Sequence, residues 1–335
     1  MTDHDPTAFG DLIDVNLNDG NLLRRPYPRE AARRLLGGRG FNVGYLFAHL
    51  PAGTDPMGPG NILVFSGGLL TGSRVPAASR LHINALSPLT GLIGSSNIGG
   101  YAGAWLRSTG ILSLIVRGRS RRPVYLYISE AGAELRDAQA YWGLDAFDTQ
   151  DRIVEDLGGG DLQVLAIGTA GENAARFACI ITGRDHAAGR TGLGAVMGAK
   201  KLKALVICKG RNKPFERRRE LIGDAVGAYV NQIRSSPDFA TFSRHGGAGY
   251  LKWADDMGIM GTRNYRQCRF DLIDRVDGRQ LLADKVRSSG CYRCPVQCKA
   301  DLKFKHGRRR GQTATRPEFE PMINLGAKCG LADLQ

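Results

Sequence analysis

Four glycine-rich segments limit what the first part of this chain can become: Gly37–Gly40 (GGRG), Ser66–Arg80 (SGGLLTGSRVPAASR), Gly94–Gly103 (GSSNIGGYAG) and His186–Gly198 (HAAGRTGLGAVMG). Glycine weakens helix and strand interiors and allows tight turns and close backbone approach, so these segments read as turns and close approaches. Glycine totals 45 of 335 residues, near twice the usual ~7%. The 14 prolines and the absence of a G-X-Y period exclude collagen and low-complexity linkers. Where glycine removes the Cβ, main-chain N–H groups can close on an anion, and Arg80 and Arg190 can grip phosphate with two parallel hydrogen bonds. No Walker A or G-x-G-x-x-G sequence occurs, and Gly192-x-Gly194-x-x-x-Gly198 is only a loose relative. Each loop alone reads as a tight turn; four of them in a basic protein favour a phosphate-bearing cofactor.

The segments between them predict short elements. Asp11–Leu17 reads as a strand, with Asn18-Asp19-Gly20 turning into a second. PREAARRLLGG, from Pro28, has a helix start and a glycine stop, and FNVGYLFAHL continues as a second helix to Pro51. Asn61–Ser66, Leu112–Arg117, Pro123–Ser129, Leu162–Gly168 and Ala204–Cys208 are β-rich runs, the second and third close enough to form a hairpin. Asp148–Leu157 reads as a helix. Glu216–Arg234 has helical spacing, with Leu221, Ile222, Val226, Tyr229, Val230 and Ile233 on one side, and Asp277–Ser288 also reads as helical. No internal repeat of 20–50 residues stands out. The predicted fold is α+β: a β-rich N-terminal domain over 1–210, then a partial, mainly α-helical domain over 211–335, opened by the linker Gly210–Pro214.

Lys plus Arg is 46 against 32 for Asp plus Glu, a net charge of +14. Such a balance suits nucleic acid, a phosphorylated cofactor or an acidic partner protein. Basic residues cluster at Arg117–Arg122, Arg211–Arg219 and Lys303–Arg310, and each run alone reads as a solvated face. They lack interleaved aromatics, which argues against a nucleic-acid partner. Met1–Gly10 has no apolar core of a signal peptide, and no long uncharged apolar run is present, so neither secretion nor a membrane span is expected.

The odd number of cysteines, seven, does not read as a disulfide framework. Cys291-x-x-Cys294-x-x-x-Cys298 points instead to a metal or cluster site in a reducing, cytoplasmic setting. Iron–sulfur clusters take thiolates held close together, usually four; zinc takes four ligands, usually as two separated pairs. One triplet without a clean second pair leaves a cluster, zinc and redox or buried thiols all open. Arg293 and Lys299 would offset thiolate charge. Cys268 and Cys329 qualify as a fourth ligand by count only, and Cys179 and Cys208, in apolar runs, read as core residues.

Taken together, GGRG at 37–40, GLLTGSRVPAASR at 68–80, SPLTGLIGSSNIGG at 87–100, PVYLYI at 123–128, IGTAGEN at 167–173, AAGRTGLGAVMGAKKLKAL at 187–205, CYRCPVQC at 291–298 and PEFEPMINLGAKCGLADL at 317–334 resemble the tungsten-containing aldehyde ferredoxin oxidoreductase family, in family order. The resemblance implies an oxidoreductase that converts aldehydes to carboxylic acids and passes electrons through a [4Fe–4S] cluster to ferredoxin or another acidic carrier. It implies a tungstopterin cofactor, two molybdopterin-type pterins on tungsten or molybdenum, seated on a β-rich base. Arg80, Asn97, Gly99, His186, Ala187, Gly189 and Arg190 match its pterin contacts, with the main-chain carbonyls of Asn97 and Ala187 on a Mg2+ between the pterin phosphates. His186 stands where the family usually has arginine. Cys291, Cys294 and Cys298 match three cluster ligands, and Glu320 matches a glutamate suited to proton transfer beside the metal. Family members are close to twice as long and form homo-oligomers in their intact state. The expectation is therefore a truncated chain, or one part of a split enzyme completed by a second chain; the alternative is an inactive fragment or subunit serving as a cofactor-binding or electron-transfer module.

Overall fold

The apolar runs of the first unit, which ends at Leu221, build two six-stranded sheets. The computed structural model describes residues 9–214 and 219–334; Glu216–Arg218 and the Leu221 side chain, read above as helical, lie outside the described residues. The first sheet contains β1 (Asp11–Asn16), β2 (Leu22–Pro26), β3 (Leu63–Gly67), β4 (Leu81–Leu86), β5 (Ile93–Ile98) and β6 (Ile111–Arg117), in the order β2-β1-β6-β3-β4-β5. The second contains β7 (Val124–Ser129), β8 (Gly132–Asp137), β9 (Leu162–Ala166), β10 (Ile180–Thr182), β11 (His186–Ala188) and β12 (Leu202–Cys208), in the order β11-β10-β9-β12-β7-β8. Each has one parallel pair, β1 with β6 and β7 with β12.

The two sheets share one topology: a hairpin, a three-strand meander, and a last strand returning parallel to the first. Helices occupy corresponding places. Helices α1 (Arg29–Leu35) and α2 (Gly38–His49) join β2 to β3, and α3 (Ala102–Ser108) precedes β6. In the second half α4 (Ala146–Asp156) joins β8 to β9, the short α5 (Thr169–Glu172) follows β9, and α6 (Leu193–Ala199) precedes β12. Even the turn after the last helix agrees, with Gly110 at φ 86° and Lys201 at φ 55°. The unit thus repeats one six-strand topology twice.

Side-chain alternation explains the packing. In β6, Ile111, Leu114 and Val116 join the core between the sheets, with Leu205 and Ile207 of β12 and Leu106, Val196 and Met197 of α3 and α6. Leu112 and Ile115 face the other way, toward Phe41, Tyr45 and Leu46 of α2. On the second sheet Ile153 of α4 covers Val164, Ala204 and Val206. Strands covered on both faces carry continuous apolar runs, which is why LSLIVR and ALVIC stand out in the sequence.

The expected hairpin of 112–117 with 123–129 does not form: β6 and β7 lie in different sheets. The basic link between them crosses from one sheet to the other and is pinned by Lys200, which is 1% exposed and donates to the carbonyls of Gly118 (2.9 Å) and Asn61 (2.5 Å). Burial, reinforced by Arg119, lowers the Lys200 pKa to about 7. A base whose folded pKa is depressed binds fewer protons folded than unfolded between the two values, so stability rises with pH there and is lost as pH falls toward 7. The unfolding free energy is expected to climb between pH 7 and 10, and Lys200→Met to flatten that climb. Urea midpoints at the two pH values check this; an equal climb in the variant contradicts it.

The second unit begins at Ile222 and is described by itself. It holds most of α7 (Arg219–Ser235), then α8 (Phe239–His245), α9 (Leu251–Asp256), a three-stranded antiparallel sheet of β13 (Lys285–Ser289), β14 (Lys299–Lys303) and β15 (Thr313–Thr315), and α10 (Phe319–Leu325). Leu251, Ala254, Met260, Phe270, Ile273 and Ala327 form its core. In α7, Ile222, Val226, Val230 and Ile233 are half-buried, but Tyr229 is exposed, so the apolar stripe is narrower than its spacing suggested. The helix expected over Asp277–Ser288 is instead a 3-10 helix, Gly278–Asp284, running into β13. Asp277 caps the short turn by accepting from the Arg279 amide at 3.0 Å, and pairing with β14 draws Val286–Ser289 into the sheet. The molecule is α+β, and among the described residues no helix is long and apolar enough to cross a membrane.

Candidate functional site

In the first unit the glycine-rich segments meet at one end of the first sheet. Gly37, the N-cap of α2, bridges to Gly68 just after β3. Arg80 precedes β4, whose His82 pairs with Asn97 of β5. The Arg80 guanidinium donates to Asn97 Oδ1 at 3.1 Å. Strand β11 runs beside β5; the Arg190 amide donates to Ser96 Oγ at 3.3 Å, and Ser87 Oγ to the Thr191 carbonyl at 2.8 Å. The His186 ring packs on Gly100, where a Cβ would lie 3.3 Å from Cε1, and its Nδ1 is 2.7 Å from Asp185 Oδ1. Gly99 is buried at the end of β5, whereas Arg80, Ala187, Gly189 and Arg190 are exposed. Six of the seven candidate positions on this unit therefore lie on β5, β11 and their continuations, and the seventh, Arg80, reaches Asn97 from the start of β4.

One further residue, His82, joins this site. His82 stands two positions from Arg80 on an alternating strand, and a Cβ on Gly38 at the start of α2 would lie 3.0 Å from its Cδ2. Its Nδ1 is buried with no hydrogen-bond partner, and burial, then Arg39, then Arg80 lower its pKa. Neither arginine pairs with a carboxylate among the described residues. An orphaned ring nitrogen beside two uncompensated guanidinium groups and a helix start fits a polyanionic group. The period-two spacing of Arg80 and His82 was the available signal. A groove of about 470 Å3 elsewhere in this unit, lined by Gln150, Asp151 and Arg184, has none of these features.

The second unit carries the cysteine triplet in the loop between β13 and β14. The Cys294 amide donates to the Cys291 carbonyl at 3.0 Å, and Arg293 and Gln297 take left-handed backbone, with φ 52° and 48°. Ser243 Oγ holds the Val296 carbonyl at 2.5 Å. Burial foremost, then Glu318 and Cys291, push the Cys298 thiol pKa up; Lys299 opposes this and Cys294 adds to it. The Cys298 thiol thus senses the charge of the other two, and three thiolates on one loop repel one another unless a cationic group offsets them. Among the described residues no three His, Cys, Asp or Glu side chains converge as a single ion needs; a multinuclear cluster takes each thiolate on a separate iron. Cys268 and Cys329 are exposed, Cys179 and Cys208 are half-buried rather than core, and no disulfide joins any of the seven. Glu320 is exposed in the first turn of α10, while its neighbour Glu318 pairs with Lys299 at 2.5 Å.

Known proteins share this arrangement of sequence. The family model for the aldehyde ferredoxin oxidoreductase N-terminal domain matches residues 12–209, and that for domains 2 and 3 of the same enzymes matches residues 224–335. A tungsten-containing aldehyde ferredoxin oxidoreductase of Pyrococcus horikoshii is 34% identical over 97% of this chain and 53% of its own length. A WOR-like subunit of an aliphatic sulfonate oxidoreductase of Pyrococcus furiosus is 28% identical over 96% of the chain and 54% of its own. The solved active-site complex BamBC of benzoyl coenzyme A reductase, with 1,5-dienoyl-CoA, superposes with a TM-score of 0.80 at 28% identity, over 98% of this chain and 51% of that one. The chain spans about half the length of the curated relatives it matches.

Proposed function

Because the chain belongs to the aldehyde ferredoxin oxidoreductase family, we propose that it contributes the pterin-binding base and the cluster-bearing loop of a tungsten or molybdenum oxidoreductase acting on aldehydes. The observation that carries this reading is the Arg80–Asn97 contact beside the His186–Arg190 segment, with the orphaned His82 nitrogen next to it. When bound, the bis-pterin metal supplies two-electron oxidation of the aldehyde carbon, and the [4Fe–4S] cluster supplies one-electron transfer.

The residues of the chain bind and orient. Arg80, Arg190 and the His186 ring would hold the phosphate ends of the pterins, and the Asn97 and Ala187 carbonyls a bridging Mg2+, with Gly99 and Gly189 leaving room for close backbone approach. Cys291, Cys294 and Cys298 would each hold one iron. Glu320 would take and return a proton as the aldehyde is hydrated and oxidised. The net charge of +14 suits an acidic electron carrier such as ferredoxin.

The test is anaerobic, aldehyde-dependent reduction of a viologen dye by the metal-loaded protein, with the carboxylic acid identified as product. Dye reduction without acid formation contradicts the reading. Glu320→Gln is expected to slow turnover by about 10²–10⁴-fold while bound metal and iron stay constant, the range general acid–base catalysis supplies. A fully active Glu320→Gln enzyme removes that role.

A further inference from the structure

Behind the cysteine loop lies a second buried cation that the reading above does not use. Arg316, between β15 and α10, is 4% exposed. Its Nη2 donates to the Cys298 carbonyl at 2.6 Å and its Nη1 to the Arg244 carbonyl, at the end of α8, at 2.8 Å. Its amide donates to Ala300 at 2.8 Å. The fork therefore joins α8 to the last ligand position of the loop, and the Arg316 amide ties the residue to β14. Gly246 makes room for it: φ is 62°, and a Cβ would lie 2.5 Å from the Cys298 carbonyl oxygen and 2.6 Å from Arg316 Nη2.

A buried guanidinium held only by carbonyls is costly unless negative charge lies nearby. Burial lowers the Arg316 pKa, against an opposing pull from Glu318 and Cys298, yet arginine stays charged in proteins. Glu318 is already engaged by Lys299 at 2.5 Å. The remaining anionic neighbour is the thiolate loop itself. A thiolate-bound cluster is net anionic and gains a further negative charge when it accepts one electron, so a fixed cation beside it favours the reduced form.

On the reading that this loop holds a cluster, we infer that Arg316 is a positioning residue: acting through the Cys298 carbonyl, it fixes the loop and raises the reduction potential of the cluster. The experiment is a dithionite titration of the anaerobically purified holoprotein, followed by electron paramagnetic resonance, on wild type, Arg316→Lys and Arg316→Gln, with iron measured in each. Arg316→Gln, which keeps a donor but loses the charge, is expected to shift the midpoint potential negative; Arg316→Lys is expected to stay near wild type. A wild-type potential in iron-replete Arg316→Gln overturns the inference, as does an equal shift in both variants. Should Arg316→Gln lose its iron, Arg316→Lys decides: retained iron at the wild-type potential supports the charge role, and loss from both variants overturns it. Wild-type protein without iron or signal would fault the cluster reading itself, a different result from any of these.

Discussion

Replacing Cys294 with serine is expected to strip most of the iron and the broad visible absorption from anaerobically purified protein while leaving it folded. The residue's amide closes a turn onto the Cys291 carbonyl at 3.0 Å. That backbone bond survives the substitution, because serine keeps the amide. What is lost is the soft thiolate, for which a hydroxyl is a poor substitute on iron. It would also relieve thiol repulsion, since Cys294 is among the groups that push the Cys298 thiol up. Iron content against circular dichroism separates the two effects. Full iron in a folded Cys294→Ser protein would remove Cys294 from the ligand set.

A second large effect is expected in stability rather than chemistry. Lys203 of β12 and Glu172 at the end of α5 form an ion pair with side-chain exposures of 0% and 5%. Lys203 also donates to the Leu144 carbonyl at 2.8 Å, and Glu172 accepts from the Gly143 amide at 2.8 Å. The pair thus ties the second sheet to α5 and to the turn before α4. Lys203→Met leaves the Glu172 carboxylate buried without its counter-charge, which costs about 3–5 kcal/mol. Adding Glu172→Gln should recover part of that loss, because no buried charge then remains. Denaturant unfolding of the two variants checks this; a single-variant cost under about 1 kcal/mol would mean that water or another cation reaches Glu172.

What was legible beforehand follows the same physics. Runs such as LSLIVR and ALVIC announce strands because helix and sheet cover both their faces. Strand β5, IGSSNI, was hidden: its buried positions are Gly94, Ser96 and Ile98, small or isolated groups that leave no apolar signature. The misplaced hairpin and the Asp277–Ser288 helix both failed because strand pairing overrode local pattern: β6 pairs with the distant β1 and β3, and β13 with β14 across the cysteine loop. The repeated topology leaves little trace in the sequence: α3 (AGAWLRS) and α6 (LGAVMGA) share a Gly-Ala pair, but Arg107 stands where α6 has Gly198. Of the candidate site, the cysteine spacing marked a metal or cluster loop but left the kind of metal open. Arg80, Asn97 and His186 gained roles through family resemblance, and His82 and Arg316 emerge only when the chain is folded, since neither their burial nor their partners can be read from local sequence.

Metal analysis of the anaerobically purified protein, with its visible spectrum, bears most directly on the claim that this chain seats a pterin metal and a cluster. Tungsten or molybdenum together with iron and a broad brown absorption is the predicted result. Stoichiometric zinc without iron would contradict it.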